Sequence, residues 1–232
     1  MKGVVNLQIF IDSANVDKIA ELNEFFPISG VTTNPSLLVK EDRHFMETLV
    51  NIRDVLGDDK KLFVQTIGST AEDIIKEAHY VISRLSGNNI IKVPVTKEGI
   101  KAIKLLSKDG IEVLGTTIYT PLQAMIAALS GAQYVAPYVN RIDNLTRNGI
   151  NVVREINKLF CENQISSKIL AASFKNLQQV HFSCVSGAHS LTLPPDLMKK
   201  LIYYPETDND LKKFINEWGE YYGEDNLKLH KS

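Results

Sequence analysis

Eight short runs rich in β-branched and aromatic residues alternate with longer stretches whose apolar residues recur at helical spacing, and that alternation leaves few folds open. The runs are LQIFID ending at Asp12, GVTTN ending at Asn34, KLFVQTI ending at Ile67 and NIIKVPV ending at Val95. EVLGTTIY ending at Tyr119, QYVAPYVN ending at Asn140, KILAASF ending at Phe174 and a last run over Ser190 to Leu193 complete the set. AEDIIKEAHYVISRL follows the third run, with Ile74, Ile75, Ala78, Val81, Ile82 and Leu85 on one helical stripe and Thr70 placed to cap it. KEGIKAIKLLSKDG repeats the form and stops at Gly110, a residue suited to the left-handed turn that ends helices. Strands alternating with helices predict a parallel sheet joined by right-handed crossovers. Eight such units in 232 residues predict a single α/β domain closed as a (β/α)8 barrel. The rival, an open doubly wound sheet, would be expected to show a GxGxxG or GxxxxGK[ST] turn after its first strand, and none is present. A helical tail over about 206–223 follows the eighth run, with Leu211, Phe214, Ile215 and Trp218 along one side. That apolar face needs a partner, either the barrel's flank or a neighbouring subunit.

A formal net charge of −1 gives no electrostatic footprint for nucleic acid or an anionic membrane, so a small molecule is the expected partner. The two cysteines, Cys161 and Cys184, lie in different segments without metal-knuckle or redox spacing and read as reduced thiols. No apolar run reaches the roughly 20 residues that span a bilayer, and the N-terminus has no signal-peptide pattern. A cytoplasmic location is expected.

In such a barrel, reactive groups sit at the C-terminal ends of the strands. Lys92 lies in IIKVPV, a run apolar enough to be covered on both faces, where burial disfavours the ammonium and leaves free amine near neutral pH. A free amine can attack a carbonyl, and the iminium that forms lets the carbon–carbon bond beyond it break. Snorkelling from an edge strand or a structural ion pair would equally place a lysine there. Asp12, ending the first run, is suited to pairing with the lysine or handling sugar hydroxyl protons, and equally to capping the next helix. Thr32, Thr33 and Asn34 suit sugar recognition or a plain polar turn. Gln65, Thr116 and Tyr138 fall in strand-like runs and are able to hold one water over the reaction centre, or to be satisfied core polar groups. Arg141 follows the sixth strand and Ser173 and Lys175 the seventh, so the three are candidates to converge on an anion, with a solvated surface as the alternative.

The segments FIDSANVD, GVTTNPSLL, IIKVPVT, EGIKAIK, VLGTTIY, SGAQYVAPYVNRID and LAASFKN resemble the small transaldolase and fructose-6-phosphate aldolase family, in its order and nearly end to end. The resemblance implies a Schiff base at Lys92, proton handling by Asp12, and phosphate contacts from Arg141, Ser173 and Lys175. Gln65 and Tyr138 stand where true transaldolases typically carry Glu and Phe. The pair is similar to fructose-6-phosphate aldolases, in which the tyrosine and a water held with Gln65 and Thr116 assist proton transfer. That implies cleavage of fructose 6-phosphate to dihydroxyacetone and glyceraldehyde 3-phosphate, without metal or organic cofactor. Alternatives are a transaldolase that moves the dihydroxyacetone unit between sugar phosphates, as in the pentose phosphate pathway, and a non-catalytic sugar-phosphate-binding barrel. The resemblance also implies a ring-based homo-oligomer, pentamer or decamer, with the C-terminal helix packing on a neighbour.

Overall fold

A computed structural model describes residues 7–145 and 148–223. These residues group into two compact units with their boundary between Met198 and Lys199. The first contains β1 (Gln8–Asp12), α1 (Val16–Phe25), β2 (Gly30–Thr32), α2 (Pro35–Leu38), α3 (Phe45–Leu56), β3 (Lys61–Gln65), α4 (Ala71–Ile82), β4 (Asn89–Pro94) and α5 (Lys97–Lys108). It continues through β5 (Val113–Ile118), α6 (Pro121–Leu129), β6 (Tyr134–Pro137), α7 (Val139–Asp143), α8 (Gly149–Glu162), β7 (Lys168–Ala171), α9 (Leu177–Val185), β8 (Ser190–Leu193) and α10 (Pro195–Lys199), the last residue of which opens the second unit. All eight strands pair in parallel in chain order and β8 closes back onto β1, so the expected (β/α)8 barrel is present.

The local signals act as anticipated. Thr70 accepts from the Asp73 N–H at the start of α4, and Gly110 takes a φ of 78° just past α5. Six of the eight strands end earlier than their apolar runs do, while β1 and β8 end where theirs do. Asn34 is the cap of α2, its side chain accepting from Leu37 N–H, and Tyr138 lies between β6 and α7 with only an isolated bridge to Ala172. At these positions the chain stays nearly extended but turns out of the ladder to begin a helix.

Two apolar layers form, as a closed barrel demands. The larger packs the outward faces of the strands against the helices, with Ile11, Val31, Ile91, Val93, Val135 and Leu193 fully buried. The smaller fills the barrel interior with Phe10, Phe63, Ile90, Leu114, Tyr134 and Leu170, in which Phe63 stands edge-on to Phe10 and to Tyr134. At the opposite end of the strands from the helical caps, buried Arg53 of α3 ties the start of β4 in place. Its Nη1 donates to the Gly57 and Lys60 carbonyls at 2.7 Å each, and its Nη2 to the Asn88 carbonyl at 3.0 Å and to Asn89 Oδ1 at 2.8 Å.

The second unit is built on α11 (Pro205–Tyr222), with Pro205 at its first turn and Gly223 ending it at a φ of 70°. Leu211, Phe214 and Ile215 are exposed along it, and Trp218 stacks on Tyr222 with ring centroids 4.2 Å apart. Among the described residues no helix is long and apolar enough to cross a membrane.

Candidate active site

Extended backbone sends alternate side chains to opposite faces, so the residue two places after an interior side chain also points inward. Phe10, Phe63, Ile90, Leu114 and Ala136 belong to the apolar interior. Two places further on stand Asp12, Gln65, Lys92, Thr116 and Tyr138, and all five line one cavity of about 250 Å³ at the C-terminal end of the strands. Thr32 and Thr192 join it on the same parity from Gly30 and Ser190. The apolar interior thus serves as the floor of a polar cavity, and the pleat decides which residues reach it.

Lys92 is 6% exposed within β4, whose Ile90, Ile91 and Val93 are fully buried. Its Nζ donates to the backbone carbonyl of Thr33 at 2.6 Å. Burial pushes its pKa down to about 8, against the through-space pull of Asp12 in the other direction. About a tenth of the side chain is therefore free amine near pH 7, enough for nucleophilic attack on a carbonyl.

Asp12 does not cap α1; that role falls to Asn15, which accepts from Lys18 N–H. Its Oδ1 instead accepts from Thr32 Oγ1 at 2.8 Å. Asn34 lines the cavity while its Oδ1 caps α2, which leaves its amide nitrogen as the donor it offers a ligand. Thr116 and Tyr138 share a hydrogen bond of 2.9 Å between hydroxyl oxygens. Burial raises the Tyr138 pKa, opposed by the Thr116 hydrogen bond and the Arg141 charge, so the phenol keeps its proton near neutrality. The Arg141 guanidinium lies over that ring, 4.7 Å from its centroid, and lines the cavity mouth. Gln65 Oε1 is buried and has no hydrogen-bond partner among the described residues.

Two of the expected substrate contacts, Thr33 for the sugar and Lys175 for the phosphate, are placed elsewhere. The Thr33 hydroxyl is fully buried and donates to the Phe63 carbonyl at 2.9 Å, outside the cavity lining, and only its carbonyl reaches Lys92. Lys175 is exposed and absent from the lining, its N–H donating to Gln179 Oε1. Alternation explains the split between Ser173 and Lys175. Both would face outward from a regular β7, but Ser173 adopts a φ of 63°, which breaks the alternation and brings it to the cavity while Lys175 stays outside. Thr117 does the same within β5, at a φ of 58° in the register shift between Gly115 and Ile118. A β-branched residue in that region is strained, and such strain gathers at functional sites.

Sequence reasoning missed Thr117, Thr192, Ser36 and the small residues Ala136 and Ala172, all of which line the cavity. For Thr192 a signal was present: parity with Ser190 in the last strand.

A buried amine of lowered basicity, a carboxylate, a protonated phenol and a guanidinium at the mouth converge on one cavity. The set can form an imine, move protons beside it and hold an anion at its rim. The profile of the transaldolase/fructose-6-phosphate aldolase family matches residues 9–224, a span that includes every residue lining this cavity, and the chain belongs to that family of enzymes.

Proposed function

We propose that the protein is a fructose-6-phosphate aldolase, releasing dihydroxyacetone instead of transferring it. The observation that supports imine chemistry most directly is Lys92, a buried amine with a pKa near 8 opening onto a cavity. Its Nζ adds to the C2 carbonyl of the open-chain sugar, and loss of water leaves an iminium. Asp12 takes the proton of the C4 hydroxyl, the C3–C4 bond breaks, and its electrons enter the iminium to give an enamine as glyceraldehyde 3-phosphate departs. Protonation of the enamine at C3 and hydrolysis of the imine then free dihydroxyacetone and restore the amine. The iminium is the electron sink, so the step needs neither metal nor organic cofactor.

Release over transfer is inferred from the proton donors beside the amine. Thr116 and Tyr138 are hydrogen-bonded to one another, and Gln65 lines the same cavity, which suits a water held among the three side chains as the donor to the enamine. Gln65 is neutral and cannot serve as a carboxylate base. Arg141 and Ser173 at the mouth are assigned to the phosphate. The exposed Leu211, Phe214 and Ile215 of α11 fit burial against a neighbouring subunit, and a cytoplasmic pentamer or decamer is the assembly proposed from the family resemblance alone.

Borohydride reduction in the presence of fructose 6-phosphate, followed by peptide mass analysis, is expected to give an adduct on Lys92. Cleavage is then measured with and without an aldose phosphate acceptor. Turnover that requires acceptor would make the protein a transaldolase, and sugar binding without an adduct would leave it a non-catalytic barrel.

A further inference from the structure

Thr192 of β8 has no part in the scheme above, although it lines the same cavity and is 3% exposed. We propose that Thr192 is a positioning residue that decides which oxygen of Asp12 faces the substrate. Its Oγ1 lies 2.6 Å from Thr32 Oγ1, itself 1% exposed, and Thr32 Oγ1 lies 2.8 Å from Asp12 Oδ1. A hydroxyl has one proton, and a carboxylate only accepts. Thr32 therefore spends its proton on Oδ1, and the contact with Thr192 is satisfied only if Thr192 donates. The direction of the relay is fixed: Thr192 to Thr32 to Asp12.

Strand order brings the three together. β1 lies between β2 and β8, and Phe10 pairs with Gly30 on one side and with Thr192 on the other. Asp12 pairs with Thr32, so Thr192 enters two residues lower in the register, and its hydroxyl reaches Thr32 across β1 although the two are 160 residues apart in the chain. Successive donations polarise one another in a buried site. With Oδ1 committed, Oδ2, which makes no hydrogen bond among the described residues, is the oxygen left to take the C4 proton. Loss of the Thr192 donor leaves a buried lone pair on Thr32 unsatisfied and lets that hydroxyl turn away from Asp12. The step affected is carbon–carbon cleavage. Amine attack is spared, because Lys92 is held by the Thr33 carbonyl and not by this relay.

The inference rests on Asp12 being the C4 proton acceptor in the aldolase reading, and the test separates the two. In the full chain, Thr192→Val is expected to lower kcat for fructose 6-phosphate about tenfold, with KM within about twofold and the borohydride adduct on Lys92 undiminished. Thr192→Ser restores kcat to within about twofold of wild type, since it returns the donor. In a Thr32→Val background, Thr192→Val lowers kcat no further, because Thr192 acts only through Thr32. If Thr192→Val does not fold, Thr192→Ala, which only removes atoms, is compared with Thr192→Ser in the same assays. Unchanged kcat in the variant lacking the hydroxyl, parallel loss of adduct and turnover, or full additivity with Thr32→Val would each overturn the relay. Absence of the adduct in the wild type would overturn the imine assignment, and the relay with it.

Discussion

Lys92 links the chemistry to the stability of the protein. Its pKa of about 8 lies below the ordinary 10.5 because the folded state buries it, so between those pH values the unfolded chain binds more protons and stability rises with pH. Below about pH 8 both states hold the ammonium and the whole burial cost, about 3 kcal/mol, is present. Lys92→Met is therefore expected to be more stable than wild type at pH 7 by up to about 3 kcal/mol, with the difference shrinking as pH rises towards 10.5. Denaturant titrations at several pH values measure this, and a difference independent of pH would contradict it. With Lys92 as the proposed imine-forming amine, the rate of adduct formation is expected to climb with pH and level off above about 8, as borohydride trapping at several pH values would measure. Tyr138 has a separate part. Tyr138→Phe removes the phenol hydroxyl that shares a hydrogen bond with Thr116 and, under the proposed role in enamine protonation, is expected to reduce dihydroxyacetone release about 10- to 100-fold while the Lys92 adduct still forms. Equal loss of adduct and release would reassign the phenol to imine formation.

At the scale of elements, the site depends on where strands begin as much as on where they end. Arg53 holds the start of β4, and β4 places Lys92; Arg53→Leu strands three acceptors, the Gly57 and Lys60 carbonyls ahead of β3 and Asn89 Oδ1 at the start of β4, while the Asn88 carbonyl keeps the Leu62 N–H. A loss of about 3 kcal/mol in unfolding free energy is expected, read by urea denaturation, and less than about 1 kcal/mol would mean water replaces the guanidinium at little cost. The strands and long helices were legible because their periods, 2 and 3.6, repeat within a few residues of sequence. The short helices α2 and α7, of four and five residues, are too brief to show a period, which is why the runs ending at Asn34 and Asn140 overran the ladder. Asp12, Gln65, Lys92, Thr116 and Tyr138 were legible as polar residues at the ends of apolar runs. Lys175 misled because regular alternation was carried through Ser173, where the backbone turns left-handed. Parity with Ser190 made the inward face of Thr192 legible, but its hydrogen bond to Thr32 was not, because the partner is distant in sequence and two strands away in the barrel.

At the scale of the whole molecule, the exposed stripe of α11 is the feature most open to experiment. If it mediates assembly, Phe214→Ser combined with Ile215→Ser lowers the sedimenting mass to that of a smaller species while the far-ultraviolet spectrum of the barrel is kept. An unchanged mass would remove α11 from the interface. The Thr192 to Thr32 hydrogen bond, finally, bridges β8 and β2 across β1, the seam where the last strand meets the first. No intermediate lacking that closure can possess a complete site, however much helix it has formed. In refolding, catalytic activity should therefore return as the latest event, after the helical signal, and its recovery times the closing of the ring.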